Sequence, residues 1–123
     1  MMLVRGVRGA ACVTENSEEA ILETTHVLLQ EMIALNQIEE SFVASVLFTT
    51  TADLTATFPA KAARDLGWNT VALMGALEMN ADYGLKKCVR ILIHWNTTKA
   101  QDEIKHVYMR GAEALRRDLF PQS

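Results

Sequence analysis

The chain has 123 residues and a mass of 13.7 kDa, which predicts one domain spanning residues 1–123. Half of the residues are hydrophobic, enough for a packed core, whereas the net charge of −3 argues against nucleic acid as the main partner. There is no signal-peptide pattern, and no apolar stretch approaches the roughly 20 residues of a membrane span, so we expect a cytoplasmic protein with no membrane partner. Cys12 and Cys88 lack Cys-x-x-Cys spacing, and we expect both to be buried free thiols.

The N-terminal part of the chain predicts a strand followed by a long helix. Alternation along residues 3–13 places Arg8 on one face of this strand and Arg5 on the other. The segment Asn16-Ser17-Glu18-Glu19 is typical of a helix start, because it offers a capping side chain and acidic residues in the first turn. Apolar residues then recur at helical spacing until Asn36, which predicts an amphipathic helix of about five turns on a sheet.

The middle of the chain alternates short strands with one short helix. Residues 43–50 are rich in β-branched and aromatic residues and predict a second strand. Phe58-Pro59 then opens a short helix that runs through Leu66 and ends at Gly67. Residues 71–74 predict a third strand, and residues 75–84 an irregular connection that contains Glu78.

The fourth predicted strand, residues 86–96, carries a charge inside an apolar run. Alternation gives it a core face formed by Val89, Ile91, Ile93 and Trp95. Arg90 lies on the opposite face, where an unpaired guanidinium would be too costly to bury. Either a protein carboxylate, with Glu78 or Asp82 as candidates, or an anionic ligand must therefore satisfy it.

The complete pattern predicts an α/β (α+β) fold. A polar link with one helical turn leads to a fifth strand at residues 106–109, and residues 115–123 are expected to form a mobile tail. The result is a mixed five-stranded sheet with one long and one short helix packed on one face. The other face must be covered by something other than the chain's own helices.

No motif predicts covalent, metal or nucleotide chemistry. The chain lacks a nucleophile elbow and a phosphate-binding glycine loop, and neither cysteine lies in an activating motif. Its three histidines lack metal-ligand spacing, so we expect no metal and no cofactor.

Six local strings in order along the chain resemble the monofunctional α/β chorismate mutases of the AroH class. The strings are Val4–Ala10; Asp53-Leu54 with Phe58–Arg64; Glu78-Met79; Gly84–Arg90; Gln101-Asp102 with His106–Tyr108; and Leu115-Arg116 with Asp118-Leu119. The resemblance covers essentially the whole chain. It implies the intramolecular rearrangement of chorismate to prephenate in aromatic amino-acid biosynthesis, a pericyclic step that needs no nucleophile, metal or cofactor.

The resemblance also implies roles for particular residues. Arg90, Glu78 and Arg8 form the expected catalytic set: Arg90 contacts the breaking ether oxygen and one carboxylate, and Glu78 accepts the substrate hydroxyl. Arg8 and Tyr108 hold the side-chain carboxylate. In the family, sites lie between subunits of a homotrimer whose sheets form a barrel-like core. Further substrate-binding positions are Phe58, Ala60, Lys61 and Arg64 on the neighbouring subunit's wall, Met74 and Gly75 near the site, and Leu115 and Arg116 on the closing tail.

The chain departs from the family pattern at two positions, and three other functions stay open. Gly75 replaces a cysteine that lines the site in some relatives, and Arg117 replaces a proline that often follows the tail arginine. The alternatives are a non-catalytic trimeric module that binds a small carboxylate, an imine-deaminase-like trimer, and a purely structural oligomer in which Arg90 is paired internally.

Overall fold

The computed structural model describes residues 1–81 and 84–116, with only the backbone of Arg116. These residues form five strands and two α-helices: β1 (Leu3–Cys12), α1 (Glu18–Asn36), β2 (Val43–Thr50), α2 (Lys61–Asp65), β3 (Ala72–Leu77), β4 (Cys88–Thr97) and β5 (Val107–Met109). Short 3-10 turns cover Glu40–Phe42, Gln101–Glu103 and Ala112–Arg116. Within the described ranges, neither helix combines the length and apolar character needed to cross a membrane.

All five strands join one sheet in the order β3-β2-β4-β1-β5. The central strand β4 runs antiparallel to both β1 and β2, whereas β3 is parallel to β2 and β5 is parallel to β1. The predicted mixed five-stranded sheet is therefore confirmed, and β4 lies at its centre.

The two helices pack on one face of the sheet, as predicted. The Ser17 hydroxyl caps α1 by accepting the Ala20 N–H at 3.1 Å, and the helix ends where Gln37 takes a left-handed conformation with φ 56°. Gly9 allows α1 to approach β1 closely, because a Cβ at this position would lie 2.4 Å from Met32 Sδ. The core between helix and sheet includes Leu28, Met32, Phe48, Ile91, Ile93 and Trp95.

Four details differ from the sequence-based predictions. Strand β3 continues to Leu77, three residues beyond its expected end, because β2 supplies ladder partners as far as Thr50. Helix α2 begins at Lys61, since residues 58–60 form a turn in which Ala62 donates to the Pro59 carbonyl. His106 precedes β5, and the 3-10 turn that includes Leu115 occupies the start of the predicted tail. Residues 117–123, and with them Arg117, lie outside the described part of the chain.

Candidate active site

A cavity of about 190 Å³ opens on the face of the sheet that α1 and α2 do not cover. Its apolar wall includes Leu47 and Leu92. Its polar wall is formed by Arg8, Thr49, Glu78, Arg90 and Tyr108. Arg8, Thr49, Arg90 and Tyr108 come from β1, β2, β4 and β5, and Glu78 directly follows β3, so the sheet brings together polar groups from distant parts of the chain.

The position of Arg90 follows from the register of β4. The neighbours opposite Arg90 are Ala10 on β1 and Thr49 on β2. Both side chains are small, which leaves space for a guanidinium and a ligand on this face of the sheet. The opposite face of β4, which carries Val89 and Ile91, is buried in the core as the sequence predicts.

Glu78 reaches the same cavity directly after β3. Its N–H donates to the Thr50 carbonyl at 2.8 Å, which extends the β2–β3 pairing by one bond. Its carboxylate accepts the Thr49 hydroxyl at 2.6 Å and Arg90 Nη1 at 3.3 Å. Thr49 contacts Oε2, so the other carboxylate oxygen, Oε1, contacts the arginine.

The internal ion pair that a structural role for Arg90 would require is therefore present. It is incomplete, however, because it engages one nitrogen of a guanidinium that carries five N–H donors. The side chains of Arg90 and Glu78 also keep 37% and 25% of their surface exposed. Arg90 thus keeps N–H donors that the ion pair with Glu78 does not use, and it lines the cavity.

Arg8 and Tyr108 line the side of the cavity that lies across Arg90 from Glu78. Tyr108 on β5 is paired with Ala10, and Arg8 lies two residues earlier on the same strand, β1. Tyr108 is buried and belongs to a small cluster with Ala10 and Cys88, against which Leu115 packs. Arg8 and Tyr108 are thereby brought to one end of the cavity, and Leu115 packs against the cluster that contains Tyr108. The side chain of Arg116 lies outside the part of the chain that the structure describes.

The predicted residues of the α2 region do not line this cavity within a single chain. Phe58 is 79% exposed, Ala60 is buried in the core, and Lys61 forms an exposed ion pair with Glu18 at 3.6 Å. Arg64 is exposed and borders a second cavity of about 230 Å³, which Trp68 also lines.

Met74 and Gly75 lie on the edge strand β3 and also do not line the cavity. Met74 is paired with Leu47, which places it on the same face of the sheet, where it is 68% exposed. Gly75 is paired with the core residue Phe48, so a side chain at this position would point to the helix-covered face.

Sequence reasoning did not find Thr49 or His106. Thr49 holds Glu78, and His106 Nδ1 accepts the backbone N–H of Arg8 at 3.0 Å. Neither residue stands out by type or spacing. Knowing that β2 lies beside β4 would have identified Thr49, because strand register alone places it opposite Arg90.

Both cysteines are free, and they lie opposite each other at the ends of β1 and β4. Cys88 is buried and Cys12 is half-buried. Burial raises the pKa of the Cys88 thiol to about 12 and also raises the pKa of Cys12. Among the residues that the structure describes, no group of three or more potential ligands could hold a metal ion.

We expect the Cys88 thiol to be unreactive in the folded protein, since only the thiolate is nucleophilic. In a Cys12→Ser variant, an aromatic disulfide reagent at pH 8 should titrate Cys88 at least about a hundredfold more slowly than in the urea-unfolded chain. The complementary Cys88→Ser variant, which retains the more exposed Cys12, should react faster. Equal rates for folded and unfolded Cys12→Ser protein would contradict this expectation.

The fold and the cavity together define an α/β protein with an arginine-containing pocket on the uncovered face of its sheet. The chain belongs to the chorismate mutase type I family, whose model matches residues 4–119. It is 45% identical over 118 residues to chorismate mutase AroH of Thermus thermophilus, covering 95% of this chain and 97% of the relative. Identity to chorismate mutase AroH of Bacillus subtilis is 43% over 119 residues, or 96% and 94% of the two chains.

A solved structure agrees with these sequence relatives. The chorismate mutase from Clostridium thermocellum superposes with a TM-score of 0.87 at 44% identity, covering 89% of this chain and 97% of that chain. The family predicted from the six sequence strings is therefore confirmed.

Proposed function

We propose that this enzyme rearranges chorismate to prephenate in the cavity between Arg8, Glu78, Arg90 and Tyr108. The observation that carries the proposal is that these four residues line one cavity, although three come from separate strands and Glu78 from the residue after β3. The family membership favours this activity over a non-catalytic carboxylate-binding module, an imine deaminase or a structural oligomer.

The reaction breaks an ether C–O bond while a C–C bond forms within one molecule, so the protein has to stabilise charge and restrict conformation. Negative charge develops on the ether oxygen as the bond lengthens. Arg90 is the proposed donor to this oxygen, because a preorganised cation stabilises the transition state more than the ground state. Its N–H groups other than the one held by Glu78 supply that contact.

The other three groups bind the substrate. Glu78 is the proposed acceptor for the substrate hydroxyl, since its carboxylate lies beside Arg90 and is fixed by Thr49. Arg8 and Tyr108 are the proposed partners of the side-chain carboxylate. Holding a flexible substrate in a reactive conformation can supply a large part of the rate enhancement.

We propose that the enzyme is a homotrimer whose neighbouring subunit completes each site. Three observations support this. The face of the sheet with the cavity carries no helix, and Phe58, Met74 and Leu77 are each about two-thirds or more exposed although they are large and apolar. The cavity of about 190 Å³ is also smaller than the roughly 300–1,000 Å³ typical of complete ligand sites. Phe58, Ala60, Lys61 and Arg64 are the proposed wall from the neighbour.

The remaining proposed contacts come from β3 and the C-terminal segment. Met74 and Gly75 would lie near the subunit boundary, and Leu115 and Arg116 would close over the bound substrate. We also propose a cytoplasmic location, which is supported by the two free thiols, because reducing compartments keep such cysteines unpaired.

The test of the activity is a continuous absorbance assay for chorismate loss with purified protein, with prephenate identified as the product. We expect saturable turnover without added metal or cofactor, and the same rate after treatment with a chelator. Binding of chorismate without conversion would favour the non-catalytic module, and release of ammonia from an imine substrate would favour the deaminase.

We expect kcat to be independent of pH between about pH 6 and 9, because the rearrangement transfers no proton and arginine stays charged throughout this range. A carboxylate accepts more strongly than a neutral carboxyl group, so the rate should fall only toward acidic pH, where carboxylates of enzyme and substrate become protonated. A Glu78→Gln variant retains an acceptor without the charge, and it should be slower with an equally flat profile. A bell-shaped profile that disappears on changing His94 or His106 would contradict a mechanism without proton transfer.

A further inference from the structure

A side chain, rather than the sheet, holds the backbone N–H of Arg8. The Val13 N–H donates to the Lys87 carbonyl at 2.7 Å, which marks Cys12 and Cys88 as a non-hydrogen-bonded pair of the antiparallel ladder. Non-hydrogen-bonded pairs recur every two residues along the ladder. The pair formed by Arg8 and Leu92 is therefore also non-hydrogen-bonded. The Arg8 N–H therefore points away from β4, toward β5.

Strand β5 begins one residue too late to receive this N–H through its ladder. Pairing between β1 and β5 starts with Gly9 and Val107. The ring of the preceding residue, His106, accepts the Arg8 N–H at Nδ1, at 3.0 Å. Because Nδ1 acts as an acceptor, the proton of the neutral ring must be on Nε2. Burial lowers the pKa of His106, which favours this neutral form.

The backbone just before His106 is held by α1. Asn36, buried at the end of this helix, donates to the Lys105 carbonyl at 2.8 Å and accepts the Lys105 N–H at 2.9 Å. The backbone directly before His106 is thus held at both of its polar groups. A second contact of the Asn36 amide, to the Met32 carbonyl at 3.0 Å, fixes the asparagine on the helix.

We propose that His106 is a positioning residue for substrate binding, whose Nδ1 lone pair fixes β1 at Arg8 and so orients that guanidinium beside Tyr108. The inference rests on the proposed role of Arg8 in holding the substrate carboxylate. This carboxylate keeps its charge throughout the rearrangement, so Arg8 attracts it similarly in the ground and transition states. Loss of the His106 hydrogen bond weakens this contact without removing Arg8, so KM should rise while kcat changes little.

The experiment compares three substitutions of His106 that differ in the acceptor. In Asn, Oδ1 occupies the place of Nδ1, so His106→Asn retains the acceptor. His106→Leu removes it, and His106→Gln carries its polar group one bond farther out. We expect His106→Leu and His106→Gln to raise the KM for chorismate about three- to tenfold with kcat within twofold, as loss of one hydrogen bond implies. His106→Asn should restore the wild-type KM.

Two further measurements separate the possible failures. An Arg8→Ala variant should raise KM at least as much as His106→Leu; if it does not, the proposed role of Arg8 is wrong and this inference falls with it. If Arg8→Ala raises KM but the Leu and Gln variants match the wild type, or if Asn behaves like Leu, only the role of His106 is overturned. Nitrogen-15 NMR of the wild-type protein should show His106 as the neutral Nε2–H form at pH 7. Observation of the Nδ1–H form would also overturn the proposed role of His106.

Discussion

Replacement of Arg90 by alanine should lower kcat by at least about 10²–10³, or roughly 3–4 kcal/mol in activation free energy, the range for loss of one preorganised donor to a developing negative charge. The size of the effect follows from the geometry. Arg90 lies on the central strand between Ala10 and Thr49, neither of which can supply a cation in its place. The measurement is kcat from the absorbance assay at saturating chorismate.

The fold should survive this substitution, because Glu78 retains its bonds to the Thr49 hydroxyl and to the Thr50 carbonyl when Arg90 is absent. Circular dichroism and the thermal midpoint check this directly. Arg5→Ala is the matched control: Arg5 is on the same sheet, but it is paired with Trp95 on the helix-covered face and donates to the Lys99 carbonyl. Arg5→Ala should keep near-wild-type kcat. Near-wild-type kcat in Arg90→Ala would exclude Arg90 as the transition-state donor.

The arrangement around Arg90 was predictable from sequence because period-two alternation along β4 is strong. Four consecutive odd-numbered apolar residues mark the core face, so the orientation of Arg90 followed without knowledge of any neighbouring strand. The start of α1 was predictable for a similar reason: the Ser17 cap and the acidic first turn act locally. Local patterns of this kind were also sufficient to predict α1 and its two neighbours in sequence, β1 and β2.

Features that depend on pairing between distant segments were not predictable. Gly75 and Ala76 have weak strand propensity, and only the ladder supplied by β2 extends β3 through them to Leu77. Thr49 acquires its role because β2 lies beside β4, and His106 because β5 starts one residue after it. The role of Glu78 was expected from the family resemblance, whereas its position beside Arg90 follows from the extended β3.

Within one chain, the predicted binding residues in and beside α2 lie away from the cavity. Arg64 and Phe58 are exposed and do not line the cavity that contains Arg90. Residues of the same chain that act in one site would be expected to meet within that chain. Their separation is what a cyclic homo-oligomer produces when each site combines two different surfaces of neighbouring copies, a heterologous interface that closes into a ring.

Subunit mixing provides the strongest test of this arrangement. Arg64→Ala and Arg90→Ala chains should each be nearly inactive, since each variant would lack one cation in every site of the proposed homotrimer. In a mixed trimer, a site is native when an Arg64→Ala chain supplies Arg90 and its neighbour, an Arg90→Ala chain, supplies Arg64. Random equimolar mixing should therefore restore about a quarter of the wild-type activity, because each of the two chains at a heterologous interface is of the required type half of the time.

The mixture must be unfolded and refolded together, and mass spectrometry of the intact assembly should show that the subunits exchanged. A matched control mixes Arg90→Ala chains with Glu78→Ala chains. Both substitutions lie on the same wall, where the two side chains form one ion pair, so no combination of subunits rebuilds a native site. That mixture should stay inactive. Recovery with Arg64→Ala but not with Glu78→Ala would place Arg64 on the opposite side of the subunit boundary from Arg90. Verified exchange without recovery would mean that each site is formed by a single chain.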